Sequence, residues 1–404
     1  MLRNVSTKLT LVGLPMVIIG CDGLMTSPPT RGDDFESAFD DLPHELNAMF
    51  AAGDENFERV FIVSDGLGPI FNNTGCASCH PGDGRGTPNE ALIRFSVNGD
   101  LLPAHGGPQL QDKAIPGVLP ESLPGEVALQ SSTRLPPPVF GVGLIEHIPA
   151  EAILANADPD DSDGDGVSGR PNWVRAAPFV PSSEIGGGAG DQLGRFGRKA
   201  NVSSLLQQVV EAYHQDIGIT SDFLPSENPH PQAGGFAVGD IVADPELTAA
   251  EVLQTTVYVR LLAPPKRGSV TARVETGKEV FYGIGCAKCH VPTMHTGPSN
   301  IGPLDRVAVH LYSDLLIHDM GDGLADHRPD GQASGYEWKT PPLWGTRLVR
   351  EFLNGKAFYL HDGRATTLDE AIRWHGGEAE SAKLGYEALD EARREALLAF
   401  LRSL

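Results

Sequence analysis

The sequence predicts a mostly α-helical protein of two domains, elaborated by long glycine- and proline-rich loops. Three observations carry this. Apolar residues recur at helical spacing in several separate stretches, and strand-like alternation is weak throughout. The 404 residues include 47 glycines and 32 prolines, so ordered loops must fill the intervals between modest helices. The one visible repeat is a five-residue one, Cys76-Ala77-Ser78-Cys79-His80 and Cys286-Ala287-Lys288-Cys289-His290, with one copy in each predicted domain.

Residues 1–21 read as a leader. Arg3 and Lys8 form a positive start, and Leu9 to Gly20 form an apolar run too short for a comfortable membrane span. Ile18-Ile19-Gly20-Cys21 resembles a bacterial lipobox, which implies cleavage before Cys21 and lipidation of its thiol. An ordinary signal peptide cut a few residues later is the alternative. The expected location is the periplasm, with a lipid anchor as the contact with a bacterial membrane. Residues 22–50 read as a tether.

Residues 51–268 form the predicted N-terminal domain. An apolar-patterned run, Phe57 to Phe71, leads through Asn72-Asn73-Thr74-Gly75 into the first motif. Loop follows to Pro138, and Val139 to Ala157 reads as partly helical, with Pro149 able to open a short helix. Leu205, Val209 and Tyr213 mark an amphipathic helix over Asn201–Ile217, and 218–246 reads as loop. Thr248 with Glu251 forms a capping-box signature, opening a helix through Leu262 that Pro264-Pro265 stops. The boundary falls near Pro265 to Ser269. Residues 269–404 form the C-terminal domain. It opens with a helix over Val274–Tyr282, running into the second motif, and closes with a helical run over Asp390–Leu404.

Cys-x-x-Cys-His is the attachment spacing of c-type haem. Its two thiols are placed for thioethers to the porphyrin vinyl groups, and its histidine for the iron as proximal ligand. A thioredoxin-type pair would want a βαβ setting, which neither copy has. Two covalently bound haem c groups are therefore expected, on Cys76, Cys79 and His80 and on Cys286, Cys289 and His290. A helix entering the motif, crossed by a C-terminal helix, is similar to the build of cytochrome c domains. The expected fold is thus two cytochrome c-like haem domains with long loops. Four of the five cysteines are accounted for, and the fifth is Cys21. Any thiol chemistry of the mature chain would have to run at a haem.

Asp and Glu number 53 against 31 Lys and Arg, a net charge of −22. Loss of the leader makes it more negative. Nucleic acid and anionic lipid surfaces are unsuitable partners for such a chain. A small redox protein or a quinol-linked electron donor suits it better; a solvated acidic surface is the plainer reading.

The C-terminal domain resembles the corresponding half of bacterial di-haem cytochrome c peroxidases. The carrying residues are Lys339-Thr340-Pro341-Pro342-Leu343-Trp344-Gly345 and Phe358-Tyr359-Leu360-His361-Asp362-Gly363-Arg364, followed by Thr367-Leu368-Asp369-Glu370-Ala371. From Phe57 to Leu404 the chain more closely resembles the di-haem oxidoreductase family, described as peroxidases or thiol oxidoreductases. Pro136-Pro137-Pro138-Val139-Phe140-Gly141, Gly194-Arg195-Phe196-Gly197-Arg198-Lys199-Ala200, Asp314 to Gly321 and Trp374-His375-Gly376-Gly377-Glu378-Ala379 carry that likeness.

The sixth iron ligands decide function, because a filled position transfers electrons and an open one binds a small oxidant. Thr367 and Glu370 read as a capping box opening a helix, and His375 lies further along. Counted from His-Asp-Gly, His375 matches the position of a methionine ligand in the peroxidases, so it is the expected sixth ligand of the second haem, with Met320 next. His318 and His361 read as hydrogen-bonded within the fold or to propionates. For the first haem, the resemblance implies His105 as a removable ligand in its glycine-rich loop, with a surface histidine as the plainer reading; His147 is another candidate. Glu146 roughly matches the catalytic glutamate of the peroxidases, as acid/base at the open iron, or else is a helix-end salt-bridge residue. Trp173 and Trp344 are candidates for electron relay or for packing. Asp161, Asp163 and Asp165 have the alternate-carboxylate spacing of calcium loops, but the twelfth position is Asn172 rather than glutamate. A solvated acidic turn is the alternative.

The expected function is an exported di-haem oxidoreductase. Electrons enter at the C-terminal haem and reduce peroxide or a similar small oxidant at the N-terminal one. An electron carrier with two six-coordinate haems, and a haem-based oxidase of a small thiol or other reductant, are the alternatives.

Overall fold

The computed structural model describes residues 32–125, 129–184, 190–234 and 239–404. The expected leader over 1–21, with Cys21 and the lipobox-like segment, lies outside the described residues. Among the described residues, no helix is long and apolar enough to cross a membrane. Helix takes up about 34% of the structure and strand 13%, with no closed sheet. The expectation of a mostly α fold therefore holds only in a weaker sense: helices outweigh strands, but loop is the commonest state.

The N-terminal half carries α1 (His44–Glu58), a single turn α2 (Cys76–Cys79), α3 (Val142–His147), α4 (Ala150–Leu154), α5 (Leu205–Ala212) and α6 (Ala249–Leu261). The C-terminal half carries α7 (Ala272–Gly283), α8 (Val349–Phe352), α9 (Leu368–Arg373), α10 (Glu380–Glu387) and α11 (Glu391–Leu401). The starts of the longer helices follow local chemistry. Side chains of Ser204, Thr248, Thr271, Thr367 and Asp390 each accept the N–H of the residue three further on. Each such cap is worth on the order of 1 kcal/mol. At Thr248 the Glu251 carboxylate closes the reciprocal bond. At Thr367 it does not, because Glu370 reaches back to Thr366 instead. α5 continues through a π turn, Tyr213–Ile217, so the helix expected to Ile217 exists with a change of pitch.

Two helix crossings organise the molecule: α1 on α6, and α7 on α11. Both close at a glycine. A Cβ on Gly53 would lie 2.2 Å from the Gln254 carbonyl oxygen, and one on Gly277 would lie 1.9 Å from that of Ala396. Only a residue without a side chain allows backbones so close. Each cysteine motif is thus preceded by a helix that packs on the last helix of its own half.

The two halves interleave rather than merely touch. Leu144, Ile145 and Ile148 share one core cluster with Leu304, Leu311 and Leu316, so the predicted boundary near residue 265 breaks the chain but not the packing. Among the described residues, the longest of five two-stranded antiparallel ladders pairs Leu92–Ser96 with Gln130–Arg134. It delivers Arg134 to Asp330 at 2.8 Å, beside Lys199 on Asp326 at 2.7 Å. Burial opposes the charge on Asp330, but Arg134, Arg94 and Arg328 outweigh it and hold the carboxyl well below its usual range.

The tether expected over 22–50 needs correcting from residue 32 onward. Phe35 is 2% exposed, stacks on Phe140 and packs tilted against Phe352, with ring centroids 4.5 and 4.4 Å away. Ala38 bridges to Leu262, and α1 begins at His44. A polar, proline-containing composition did not reveal one aromatic anchor whose partners lie far along the chain.

Candidate functional site

The first motif is positioned from both sides. Phe61 donates its N–H to Thr74 O, and Asn72 and Asn73 donate theirs to Asp216 O at the end of the π turn. The turn α2 then presents Cys76 and Cys79, and His80 closes it by donating to Cys76 O. Burial pushes both thiols up to about 12, so they stay protonated at neutral pH. Burial pushes His80 down to about 4, which leaves a neutral imidazole. Its Nδ1 is buried without a hydrogen bond of normal geometry.

The second motif follows α7 in the same way, with His290 donating its N–H to Cys286 O. Its ring Nδ1 lies 2.9 Å from Tyr312 O. A carbonyl can only accept, so Nδ1 carries the proton and Nε2 keeps its lone pair. Burial pushes His290 down to about 4 as well. His375, just past α9, has the same arrangement: its Nδ1 lies 2.9 Å from Ala371 O, and burial lowers its pKa. His290 and His375 are neutral imidazoles with free Nε2 lone pairs.

One continuous cavity is lined by both motifs and by His375. Its walls also hold three cations, Arg85, Arg198 and Lys339, that have no acidic partner within 4.0 Å among the described residues. Arg198 donates to Leu135 O at 2.8 Å, Arg85 to Leu360 O at 2.9 Å, and Lys339 to Arg195 O at 2.8 Å. Burial lowers all three, Arg85 to about 10 and Lys339 to about 7. Buried cations with only carbonyl acceptors call for anions in the space they face.

The structure separates the other predicted residues. Glu146 does not line the cavity. Its carboxylate accepts from Arg260 Nε at 2.6 Å, from Arg260 Nη2 at 3.2 Å and from Leu205 N at 3.3 Å. The acid/base assignment is therefore corrected to the structural alternative, a salt bridge that also holds the start of α5. His105 is exposed at the end of a short 3-10 turn and does not reach the cavity. His147 is absent from the lining too, its Nδ1 being 2.8 Å from Gly143 O. Met320 lines the cavity, but unlike His375 it has no bond that fixes its side chain.

His318 is buried with Nε2 2.8 Å from Asp314 and Nδ1 2.7 Å from Glu378, so neither nitrogen is free for a metal. His361 stacks on Trp338, rings 3.7 Å apart and 9° from parallel. Of the two tryptophans considered as relays, Trp344 lines the cavity and Trp173 does not. In the acidic loop, Asp158, Asp161 and Asp163 converge, whereas Asp165 turns away to Lys288 Nζ at 3.0 Å. The set expected from spacing is thus not the one assembled.

Sequence reasoning missed Arg85, Arg198, Lys339, Trp338 and Gln208. Arg198 and Lys339 lie in segments that carried the family likeness, but an isolated basic residue has no local pattern to mark it. Gln208 has a weak signal: Leu205, Gln208, Val209 and Ala212 form one face of α5, and all four line the cavity.

A family model described as "Di-haem oxidoreductase, putative peroxidase" matches residues 125–404, more than two thirds of the sequence. The chain belongs to the di-haem oxidoreductase family. The matched span holds the second motif; the first lies ahead of it. No curated protein sequence matches this oxidoreductase. Solved structures similar to it include hydrazine synthase of Kuenenia stuttgartiensis pressurised with 20 bar xenon, 16% identical over 100% of each chain with a TM-score of 0.40. A MauG-like protein associated with microbial copper homeostasis is 16% identical over 64% of this chain and 89% of its own, with a TM-score of 0.31. These likenesses are too distant for any argument to rest on them.

Two haem groups, as the family implies, fit this cavity. Two pairs of free thiols, neutral histidines beside them and three uncompensated cations match thioether bonds, iron ligation and propionate carboxylates in turn. The oxidoreductase would hold one group with Cys76, Cys79 and His80. It would hold the other with Cys286, Cys289, His290 and His375.

Proposed function

We propose that this chain is an exported di-haem c-type oxidoreductase. Electrons enter at the second motif, and peroxide or a chemically similar small oxidant is reduced at the first. The observation that carries this is an asymmetry in the cavity wall. His290 shares the cavity with a second imidazole, His375, and each is oriented by a backbone carbonyl. Among the described residues of the N-terminal half, the lining contains no histidine besides His80 and no methionine. Haem bound there would supply electron transfer where both axial positions are filled and oxidant binding where one stays open.

The chain's own side chains prepare the first site. Val142, Ile145, Leu205 and Val209 keep water out. Gln208 reaches the cavity with an amide that makes no hydrogen bond among the described residues, so it can donate to an oxygen of the oxidant. An amide moves no proton. Asp216 also lines the cavity, and burial raises it to about 6, so it can hold a proton near neutral pH.

The test is stopped-flow mixing of the fully reduced protein with one equivalent of hydrogen peroxide. Rapid oxidation of both haems, slowed in Gln208→Leu, supports the reading. Spectra that peroxide leaves unchanged would reject it in favour of an electron carrier, a reading that the ion-paired Glu146 already favours.

A further inference from the structure

Away from the cavity, three carboxylates meet with nothing to balance them. Ligand oxygens of Glu227, Asp244 and Glu246 lie within 4.8 Å of one another. None of the three pairs with a lysine or arginine among the described residues. Glu227 is 5% exposed, and its Oε1 is buried without any hydrogen-bond partner. Oε1 of Glu246 is buried and unpartnered as well. Burial pushes Glu227 up to about 9 and Glu246 up to about 7, with neighbouring carboxylates adding to the effect.

The local hydrogen bonds do not resolve this crowding. Thr220 donates its N–H to Glu246 Oε2 at 2.7 Å. Its hydroxyl lies against both Glu246 Oε2 and Asp244 Oδ1. One hydroxyl proton cannot serve two carboxylates. Burial leaves Oε1 of both Glu227 and Glu246 with no donor to accept from. Gly66 packs closely on Glu246, where a Cβ would lie 2.3 Å from Glu246 Cγ.

We propose that Glu227, Asp244 and Glu246 hold a calcium ion, or a divalent cation of the same hard class. All the available ligands are oxygens, as such an ion requires, and ligand oxygens on opposite sides of calcium are just under about 5 Å apart. The site would tie the loop before α6 to the first motif. Ser226 O meets His214 Nε2 at 2.8 Å, and Asn228 donates to His214 O. His214 and Asp216 share the π turn whose Asp216 carbonyl caps Asn72 and Asn73. This site is separate from the Asp158–Asp163 loop, whose carboxylates accept N–H groups of Ser162, Gly166 and Asp165 within that loop.

The test uses the full-length protein with both haems, stripped with chelator and titrated with calcium chloride. Metal content is read by elemental analysis and stability by thermal unfolding. Calcium at about a hundredfold excess over Kd should raise Tm by roughly 3 °C. The calcium and the shift should be lost in Glu227→Gln/Glu246→Gln and kept in Asp161→Asn/Asp163→Asn. In chelator the glutamine variant should unfold no lower than the natural protein, because it removes repulsion; carboxylates with a purely structural role would give the opposite sign. Three results would overturn the proposal: a natural protein that takes up no calcium, a glutamine variant that keeps the calcium and the shift, or a glutamine variant that unfolds lower in chelator.

Discussion

Replacing Glu146 by glutamine separates a structural carboxylate from a catalytic one. Glu146 accepts two hydrogen bonds from Arg260 and one from Leu205 N, at the edge of a buried region. Glutamine keeps an oxygen acceptor and nearly the same volume, but loses the charge. A hydrogen bond to a charged group is worth about 1.5–3 kcal/mol and a neutral one about 0.5–1.5 kcal/mol. Arg260 keeps Glu184 at 2.6 Å, so its charge is not stranded. The net loss should be about 1–2 kcal/mol, or a fall in Tm of about 1–2 °C for a chain of this size. Peroxide turnover should change no more than a few-fold, through a small shift of α5 and Gln208. Thermal unfolding and steady-state peroxide consumption on the same samples provide the assay. Unchanged Tm with turnover reduced a hundredfold or more would refute the structural assignment and return Glu146 to the acid/base role.

Four further outcomes follow from the same geometry. Mass spectrometry should find two covalent haems, and Cys286→Ala/Cys289→Ala should remove one of them. Gly277→Ala should destabilise the protein by about 3 kcal/mol or more, because its Cβ would sit 1.9 Å from Ala396 O, and chemical denaturation measures this. His375→Ala should double the number of haems that bind cyanide, from one to two per chain, as read by optical titration. In chelator, the natural protein should lose stability relative to Glu227→Gln/Glu246→Gln as pH rises from about 4.5 toward 9. Glu227 and Glu246 are raised to about 9 and about 7, so the folded state holds more protons than the unfolded state across that window. Calcium should flatten this dependence.

The parts of the molecule legible in the sequence are those fixed by short-range chemistry. α5 and α11 follow from apolar spacing and α6 from its Thr248–Glu251 cap and the prolines after it, and both cysteine motifs announce themselves by spacing alone. The residues that escaped depend on partners far along the chain. Phe35 is an anchor only because Phe140 and Phe352 meet it. Glu146 lies at the position the family likeness suggested, but the face of α3 that it occupies is settled by Arg260, more than a hundred residues later. Asp165 leaves its acidic loop for Lys288 in the other half. Gly53 and Gly277 set both helix crossings, yet nothing local distinguishes them from the other glycines. Glu227, Asp244 and Glu246 come from a stretch that reads simply as polar loop.

The central claim is that the two motifs hold unlike haem sites: one filled by His290 and His375, one open beyond His80. Electron paramagnetic resonance of the purified protein, fully oxidised and half-reduced, with and without hydrogen peroxide, tests this most directly. The account predicts one low-spin haem that His375→Ala abolishes, and one haem that is high-spin at least at half-reduction and is consumed by peroxide. Two low-spin haems in both states, indifferent to peroxide, would contradict it.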